Sequence, residues 1–530
     1  MSNQRYTRVF LFLSFVSVIF MTLTSRCSEK AMMGGFDEYI SGKMKYQNIP
    51  GLAALLVKDD EIVWSGNYGW ADIEKRIPMS NERILPTASI TKTITATAVM
   101  QLWEQGKFNL NDPVNDYLSF EILNPNHPDS AITFFQLLNH TSSISNGPSL
   151  WRTFRCGDPV ISHEDWVEGY FLPDGQFYHA DGNFEKWPPG LQAQYSNAGY
   201  GLLGYMVEVL SGMPFEQYCR TFIFEPLSMN YSSIHPSTMD AGLFSSIYAY
   251  DFEWDLERDL VRPGIDVDRA LADGRPVPLC LYSSPTRGAG GLYASASDLA
   301  HFLIALMNGG IYREHRILKS ETLDTMFQAY GDFGLGVYAV PLDNGELVWG
   351  HTGADPGVST FMLFNSDVKL GAIVVTNRFV DIRDLIHWIF AEGFRYFCTQ
   401  SLDDLPEEWK QYSAKAEKHF GPERKVTFRI TPKVFPAGST VFITGNHRYL
   451  GQWNPTCIPL MLQQDGSWSR TFRFFEGAEL EYKITRGSWE KEAVFADGRV
   501  PPNFTFHVQG DMVVNVVVEN WKDNFKESDR

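Results

Sequence analysis

The chain changes its rhythm at Lys425. From there short apolar runs at Lys425–Ile430, Thr440–Gly445, Ser467–Phe474, Glu479–Arg486, Phe504–Val508 and Met512–Val518 alternate with Gly and Pro turns. Short strands punctuated in this way are expected to form a small all-β sandwich over residues 425–523. Upstream, helix-length apolar patterns mix with strand-like runs, which is an α/β pattern. The stretch 401–424 is charged, has little apolar periodicity, and reads as a linker. At 530 residues the chain is too long for one core, so the two patterns are expected to be separate domains.

The first 27 residues read as an export signal. Arg5 and Arg8 precede the apolar run Val9–Leu23, which meets the small polar residues Thr24 and Ser25. That run is short for a membrane span. Cys27 stands where a lipid-anchored protein would carry its cysteine, but Arg26 before it argues against that anchor. Six cysteines are scattered through the chain, and without Cys27 their number is odd, so no disulfide framework is expected. No Cys-x-x-Cys or His-Glu-x-x-His occurs, so neither a metal nor another cofactor is expected. The net charge of -18 disfavours nucleic acid as a partner and suits a neutral or cationic ligand.

Between residues 31 and 400 the elements can be read in order. Ala31–Tyr46 has helical spacing, and Leu52–Lys58 and Glu61–Asn67 form a hairpin joined at Asp59–Asp60. A helix follows over Ala88–Gly106, and Thr133–Leu138 leads into the loop His140-Thr-Ser142. Gly147–Gly190 reads as a long irregular, aromatic stretch. Gly199–Leu210 and Ala296–Met307 are helix-like, with a second insertion at Asp251–Pro285 between them. Leu347–His351, Val358–Asn365 and Leu370–Thr376 read as successive antiparallel strands, and a helix near Asp384–Phe397 closes the unit.

The Ala88–Gly106 helix opens on Ser89-Ile-Thr-Lys92. Positions i and i+3 share a helix face, so Lys92 can reach the Ser89 hydroxyl. A serine becomes a nucleophile when an adjacent base takes its proton, and a desolvated lysine can be that base. Ser-x-x-Lys also occurs at Ser366–Lys369 and Ser488–Lys491, but neither heads a long helix. Two further triplets follow in order, Tyr195-Ser-Asn197 and His351-Thr-Gly353. Taken singly, Tyr195 reads better as a half-buried core tyrosine, and His351 reads as a strand-end histidine capping a turn.

Together the three motifs resemble the serine β-lactamase and penicillin-binding-protein superfamily in its class C-like branch. Pro189–Gly190, Gly334-Leu-Gly336 and Gly350-His-Thr-Gly-Ala-Asp-Pro-Gly357 are similar too. The resemblance implies a largely antiparallel sheet flanked by helices, with a helical subdomain. It also implies an acyl-enzyme at Ser89, proton transfer shared by Lys92 and Tyr195, and Asn197 bonding both Lys92 and a substrate amide. The backbone N–H groups of Ser89 and Ala354 would form the oxyanion hole. Two positions depart from the family. His351 replaces the usual lysine, which weakens a clamp for a substrate carboxylate. Ser143 stands where the family often has glycine. An ester or small amide is therefore the expected substrate, with a D-alanyl-D-alanine carboxypeptidase or a β-lactamase as the alternative.

In the C-terminal unit, Gly445-Asn-His-Arg-Tyr-Leu-Gly-Gln-Trp-Asn-Pro455, Glu481-Tyr-Lys483 and Ser488-Trp-Glu490 resemble a starch-binding domain of carbohydrate-binding family 20. The resemblance assigns one sugar site to Trp453, Lys483, Trp489 and Asn503, and α-glucan as partner. Packing in the sandwich core is the other role open to the two tryptophans, and Trp468, in a strand, is read as core. A non-catalytic glucan-binding protein is the reading that dispenses with the enzyme. Oligomeric state is not fixed by the sequence.

Overall fold

The computed structural model describes residues 37, 39–250, 259–341, 347–397, 423–435, 439–445, 450, 455, 458–463, 465–475 and 479–525. The expected signal and Cys27, most of the linker, and Trp453 lie outside them. The chain divides into two compact units, residues 1–412 and 413–530.

In the first unit, helix α1 (39–47) leads into the hairpin β1 (Gly51–Lys58) and β2 (Glu61–Asp72). The short β3 (Ile77–Pro78) pairs with β2. Four later strands complete the sheet: β4 (Tyr338–Pro341), β5 (Leu347–Asp355), β6 (Val358–Asn365) and β7 (Leu370–Thr376). The order is β4-β5-β6-β7-β1-β2-β3, with every pair antiparallel. The middle strands are apolar throughout because helices cover both faces. On β7, a side chain added at Gly371 would meet Leu303 of helix α6 (Ala296–Met307). Its neighbour Leu370 points the other way, to Gly393 of helix α7 (Arg383–Phe397).

Between β3 and β4 the chain builds the helical part. Helix α2 (Thr91–Glu104) follows a single 3₁₀ turn, Ala88–Ile90, so Ser89 lies just ahead of the α-helix rather than in its first turn. Gly106 stops α2 in the left-handed region at φ +70°. Gly147–Gly190 is not irregular throughout. It contains helix α3 (His163–Phe171), capped by the Ser162 hydroxyl, with Glu164 and Asp165 in the first turn. Helix α4 (Asn197–Ser211) is capped by Ser196, and the short α5 spans Arg287–Gly290. Trp166, Tyr170 and Tyr200 are wholly buried among these helices.

The cysteine expectation needs correction. Cys156 and Cys280 form a disulfide across 124 residues. Arg155–Cys156 pairs antiparallel with Tyr282–Ser283, which brings the two ends of this long excursion together. Scattered spacing concealed a contact that only the tertiary fold makes.

Among its described residues the second unit has two four-stranded sheets and a short antiparallel pair, Ala493–Val494 with Asn520–Trp521. One sheet orders β11 (Met461–Leu462), β12 (Trp468–Phe475), β8 (Glu423–Pro432) and β15 (Met512–Val518). The other orders β10 (Ile458–Pro459), β9 (Phe442–Gly445), β13 (Glu479–Thr485) and β14 (Phe504–His507). Val426, Phe428, Ile443, Phe474, Leu480 and Trp521 fill one core between them, and Trp468 belongs to it as expected.

Candidate active site

The 3₁₀ turn carrying Ser89 is forced into its shape. Ala88 sits at φ +49°, where a side chain strains the backbone. Neighbouring bonds hold it there: Thr360 Oγ1 donates to the Thr87 carbonyl at 2.8 Å, and Thr91 Oγ1 donates to the Ala88 carbonyl at 2.6 Å. Strand β5 lies against the turn because Gly353 has no side chain. A Cβ there would overlap the Thr87 carbonyl oxygen and lie 3.1 Å from Ala88 Cβ. The glycine of His351-Thr-Gly353 thus permits close approach of the strand to the turn that carries Ser89.

Lys92 is wholly buried beneath the half-buried Ser89. Its ammonium donates to Ser89 Oγ at 3.0 Å, to Asn197 Oδ1 at 2.6 Å and to the Ala289 carbonyl at 2.7 Å. Burial pushes it down to about 7, against the opposing pull of Asp355. An amine held there is available as a base near neutrality.

Tyr195 is brought over this lysine, with Lys92 Nζ 4.8 Å from the centre of its ring. Its hydroxyl interacts with Ser89, while burial holds the phenol well above its ordinary value. The free enzyme therefore has a neutral phenol beside the serine. The Tyr195–Asn197 loop is clamped by Asn146. Asn146 Oδ1 accepts from the backbone N–H groups of Asn197 and Ala198 at 2.7 and 3.3 Å, and its Nδ2 donates to the Tyr195 carbonyl at 3.2 Å.

His351 is not at the end of its strand, since β5 continues to Asp355. It is buried, and its Nδ1 lies 2.7 Å from the Thr352 carbonyl, which can only accept, so Nδ1 carries the proton. Burial, with Lys92 nearby, pushes its imidazolium down to about 3. His351 is therefore neutral, a stronger statement than the partial charge expected from its residue type.

Several site residues carry no motif. His140 packs tilted against Tyr195 with ring centres 4.6 Å apart and accepts the Ser196 N–H at Nδ1 at 3.1 Å. Tyr338 stacks on Tyr195 at 6.2 Å and lies tilted against His351 with ring centres 4.7 Å apart. The Ala289 carbonyl comes from the glycine-rich Gly288–Gly291, which is no phosphate loop. Ser143 holds φ +59°, a conformation usually left to glycine, and its Oγ accepts from Asn124 Nδ2 at 2.9 Å.

In the second unit, Lys483 of β13 and Asn503 lie one register step beyond the pair Tyr482–Phe504. Lys483 Nζ reaches Glu492 Oε2 at 3.1 Å, and Lys522 Nζ reaches Glu492 Oε1 at 2.7 Å. Asn503 is exposed and donates to Glu481 Oε2 at 3.0 Å. Trp489 lies on a 3₁₀ turn, partly exposed and outside the sandwich core.

Comparison with known proteins agrees with this architecture. Residues 36–392 match the Beta-lactamase family, and residues 423–514 match the Starch binding domain family. The Bacillus subtilis protein PbpX, named for penicillin binding, is 28% identical over 341 residues, 64% of this chain and 72% of its own. Protein flp of Staphylococcus aureus is 24% identical over 344 residues, and the match spans 62% of its length. Among solved structures, the octameric penicillin-binding protein homologue from Pyrococcus abyssi shares the fold with a TM-score of 0.57. It is 20% identical, over 90% of this chain and 96% of that one. The D-amino acid amidase from Ochrobactrum anthropi shares it at a TM-score of 0.50 and 22% identity, over 66% of this chain and 91% of that one. With a match across two thirds of its length, the chain belongs to the Beta-lactamase family of serine hydrolases and carries a starch-binding domain after it.

Proposed function

We propose that the protein is an exported serine hydrolase that cleaves an ester or small amide through an acyl-enzyme, tethered to α-glucan by its C-terminal domain. The observation that carries this reading is the fully buried Lys92 ammonium 3.0 Å from Ser89 Oγ. Neutral Lys92 takes the Ser89 proton as Oγ bonds to the substrate carbonyl carbon. The carbonyl electron pair moves to oxygen, and the backbone N–H groups of Ser89 and Ala354 receive that oxyanion. Its collapse breaks the bond to the leaving group, which regains a proton through Lys92 and Tyr195. Water then repeats the sequence on the acyl-enzyme and releases Ser89. Asn197, fixed by its bond to Lys92, presents its amide to the substrate.

The neutral His351 supports an ester or amide without a carboxylate beside the scissile bond, and disfavours β-lactams and D-alanyl-D-alanine peptides. The disulfide supports export, since such bonds persist in oxidising compartments. Trp489 offers an apolar face outside the core, consistent with sugar stacking beside Lys483 and Asn503, with Trp453 as the partner platform.

A fluorophosphonate probe should add once to the wild-type protein and not to Ser89→Ala. Nitrophenyl acetate should be turned over far faster than nitrocefin. Equal labelling of both proteins would remove Ser89 as nucleophile, and preference for nitrocefin would return the β-lactamase reading.

A further inference from the structure

The main-chain N–H groups on either side of Tyr195 reach the same residue. Gln194 N–H, before it, donates to the His140 carbonyl at 2.8 Å. Ser196 N–H, after it, donates to His140 Nδ1 at 3.1 Å. The imidazole also packs tilted against the Tyr195 ring at 4.6 Å between centres, and meets Tyr200 at 4.9 Å and Phe333 at 4.8 Å. His140 is buried, with 3% of its surface accessible, and its backbone stands at φ +62°. A residue with a side chain holds such a conformation where its surroundings over-determine it, and such positions cluster at active sites. Here the carbonyl and the ring of one residue meet a single three-residue segment, with Tyr195 at its centre.

A backbone N–H can only donate, so Nδ1 presents a lone pair and the imidazole proton sits on Nε2. An imidazolium would set one N–H against another and release Ser196. Burial, with Lys92 and His351 nearby, holds that imidazolium well below its ordinary value, so the accepting form is the one present. Asn146 bonds to the main chain of this loop, whereas His140 bonds to the main chain and packs on the ring as well. We propose that His140 is the positioning residue of Tyr195, aiming the phenol that hands a proton to the leaving group. This rests on the hydrolase reading above and places a residue outside the three motifs in one of its steps. As the tetrahedral intermediate collapses, the bond from the carbonyl carbon to the leaving oxygen breaks. That oxygen keeps the electron pair and takes the Tyr195 proton, and Tyr195 recovers a proton from the Lys92 ammonium. A nitrophenolate departs without a proton, but an alkoxide does not, so the aim of the phenol matters for poor leaving groups.

The test compares kcat/KM for ethyl acetate with that for p-nitrophenyl acetate in wild type, His140→Phe and His140→Asn. Both esters form the same acetyl-enzyme, so kcat/KM reports acylation alone. His140→Phe keeps a ring and removes the acceptor. It should lose roughly 100-fold on ethyl acetate, the size of a misdirected general acid, and about fivefold or less on the nitrophenyl ester. His140→Asn offers an amide oxygen in place of Nδ1, on a residue type that tolerates positive φ. It should recover about tenfold of the loss on ethyl acetate, as for one regained hydrogen bond. Fluorophosphonate labelling of Ser89 and the melting temperature report that each variant is folded with its nucleophile intact. Equal losses on the two esters, or no loss in His140→Phe, would show that His140 serves the fold alone and overturn the proposal. A wild type that cleaves the nitrophenyl ester and leaves ethyl acetate untouched would overturn it too, since no phenol would then serve the leaving oxygen. A wild type that neither binds the probe nor cleaves either ester would instead overturn the hydrolase reading beneath it.

Discussion

Replacing Gly353 by alanine tests whether the close approach of β5 to the Ser89 turn matters. The added methyl would overlap the Thr87 carbonyl oxygen and Thr360 Oγ1 and crowd Ala88 Cβ at 3.1 Å. Neither oxygen can swing aside freely, because they are bonded to each other at 2.8 Å. Ordinary contact is about 3.5 Å, so strand and turn must separate by about 1 Å. That displacement moves the strand carrying Ala354 away from the Ser89 turn, and a misplacement of this size costs on the order of 100-fold in rate. Overpacking of this kind also destabilises by about 1–3 kcal/mol. We expect kcat/KM for nitrophenyl acetate to fall by about two orders of magnitude, with a lower melting temperature but a folded protein. Activity within threefold of wild type would refute the argument that Gly353 sets the spacing between Ser89 and Ala354.

Three other outcomes follow from the same structure. Trp489→Ala should elute earlier from a starch column, with affinity roughly fivefold lower or more, as for loss of a stacked aromatic anchor; unchanged retention would place sugar binding elsewhere. The double variant Cys156→Ser, Cys280→Ser should lose about 3–5 kcal/mol in denaturant unfolding of the catalytic unit, because the crosslink closes a long loop. Reductant should destabilise wild type and leave that variant unaffected. Asn146→Ala removes the acceptor for two backbone N–H groups, with a cost of about 1–3 kcal/mol. It should also lower kcat by freeing the Tyr195 loop, and an unaltered kcat would show that the clamp is dispensable.

The elements most legible in the sequence were those with a strong local pattern. The β1–β2 hairpin carries two strand-like runs joined at an Asp-Asp turn, and Ala296–Met307 was read with its full bounds. The strands around His351 were also legible, because their apolar runs are separated by short polar turns. Helix α3 was missed because aromatic residues masked its period, although Ser162 with Glu164 and Asp165 is a helix-start signal. The third partner of Lys92 could not be read, since a main-chain carbonyl such as that of Ala289 has no residue-type signature. The disulfide depended on a pairing between segments more than a hundred residues apart.

The central claim is that a buried lysine activates Ser89, and the pH dependence of Ser89 modification tests it most directly. Lys92 must be neutral to act, so the rate of fluorophosphonate addition should rise with pH through a limb near 7, its lowered value, rather than near 10.5. Because Asp355 titrates in the same range, the limb belongs to the pair. Lys92→Met should abolish the limb and slow addition by roughly 100-fold or more, the usual size of a lost general base. A rate independent of pH between 5 and 9 in wild type, or an undiminished rate in Lys92→Met, would contradict the account.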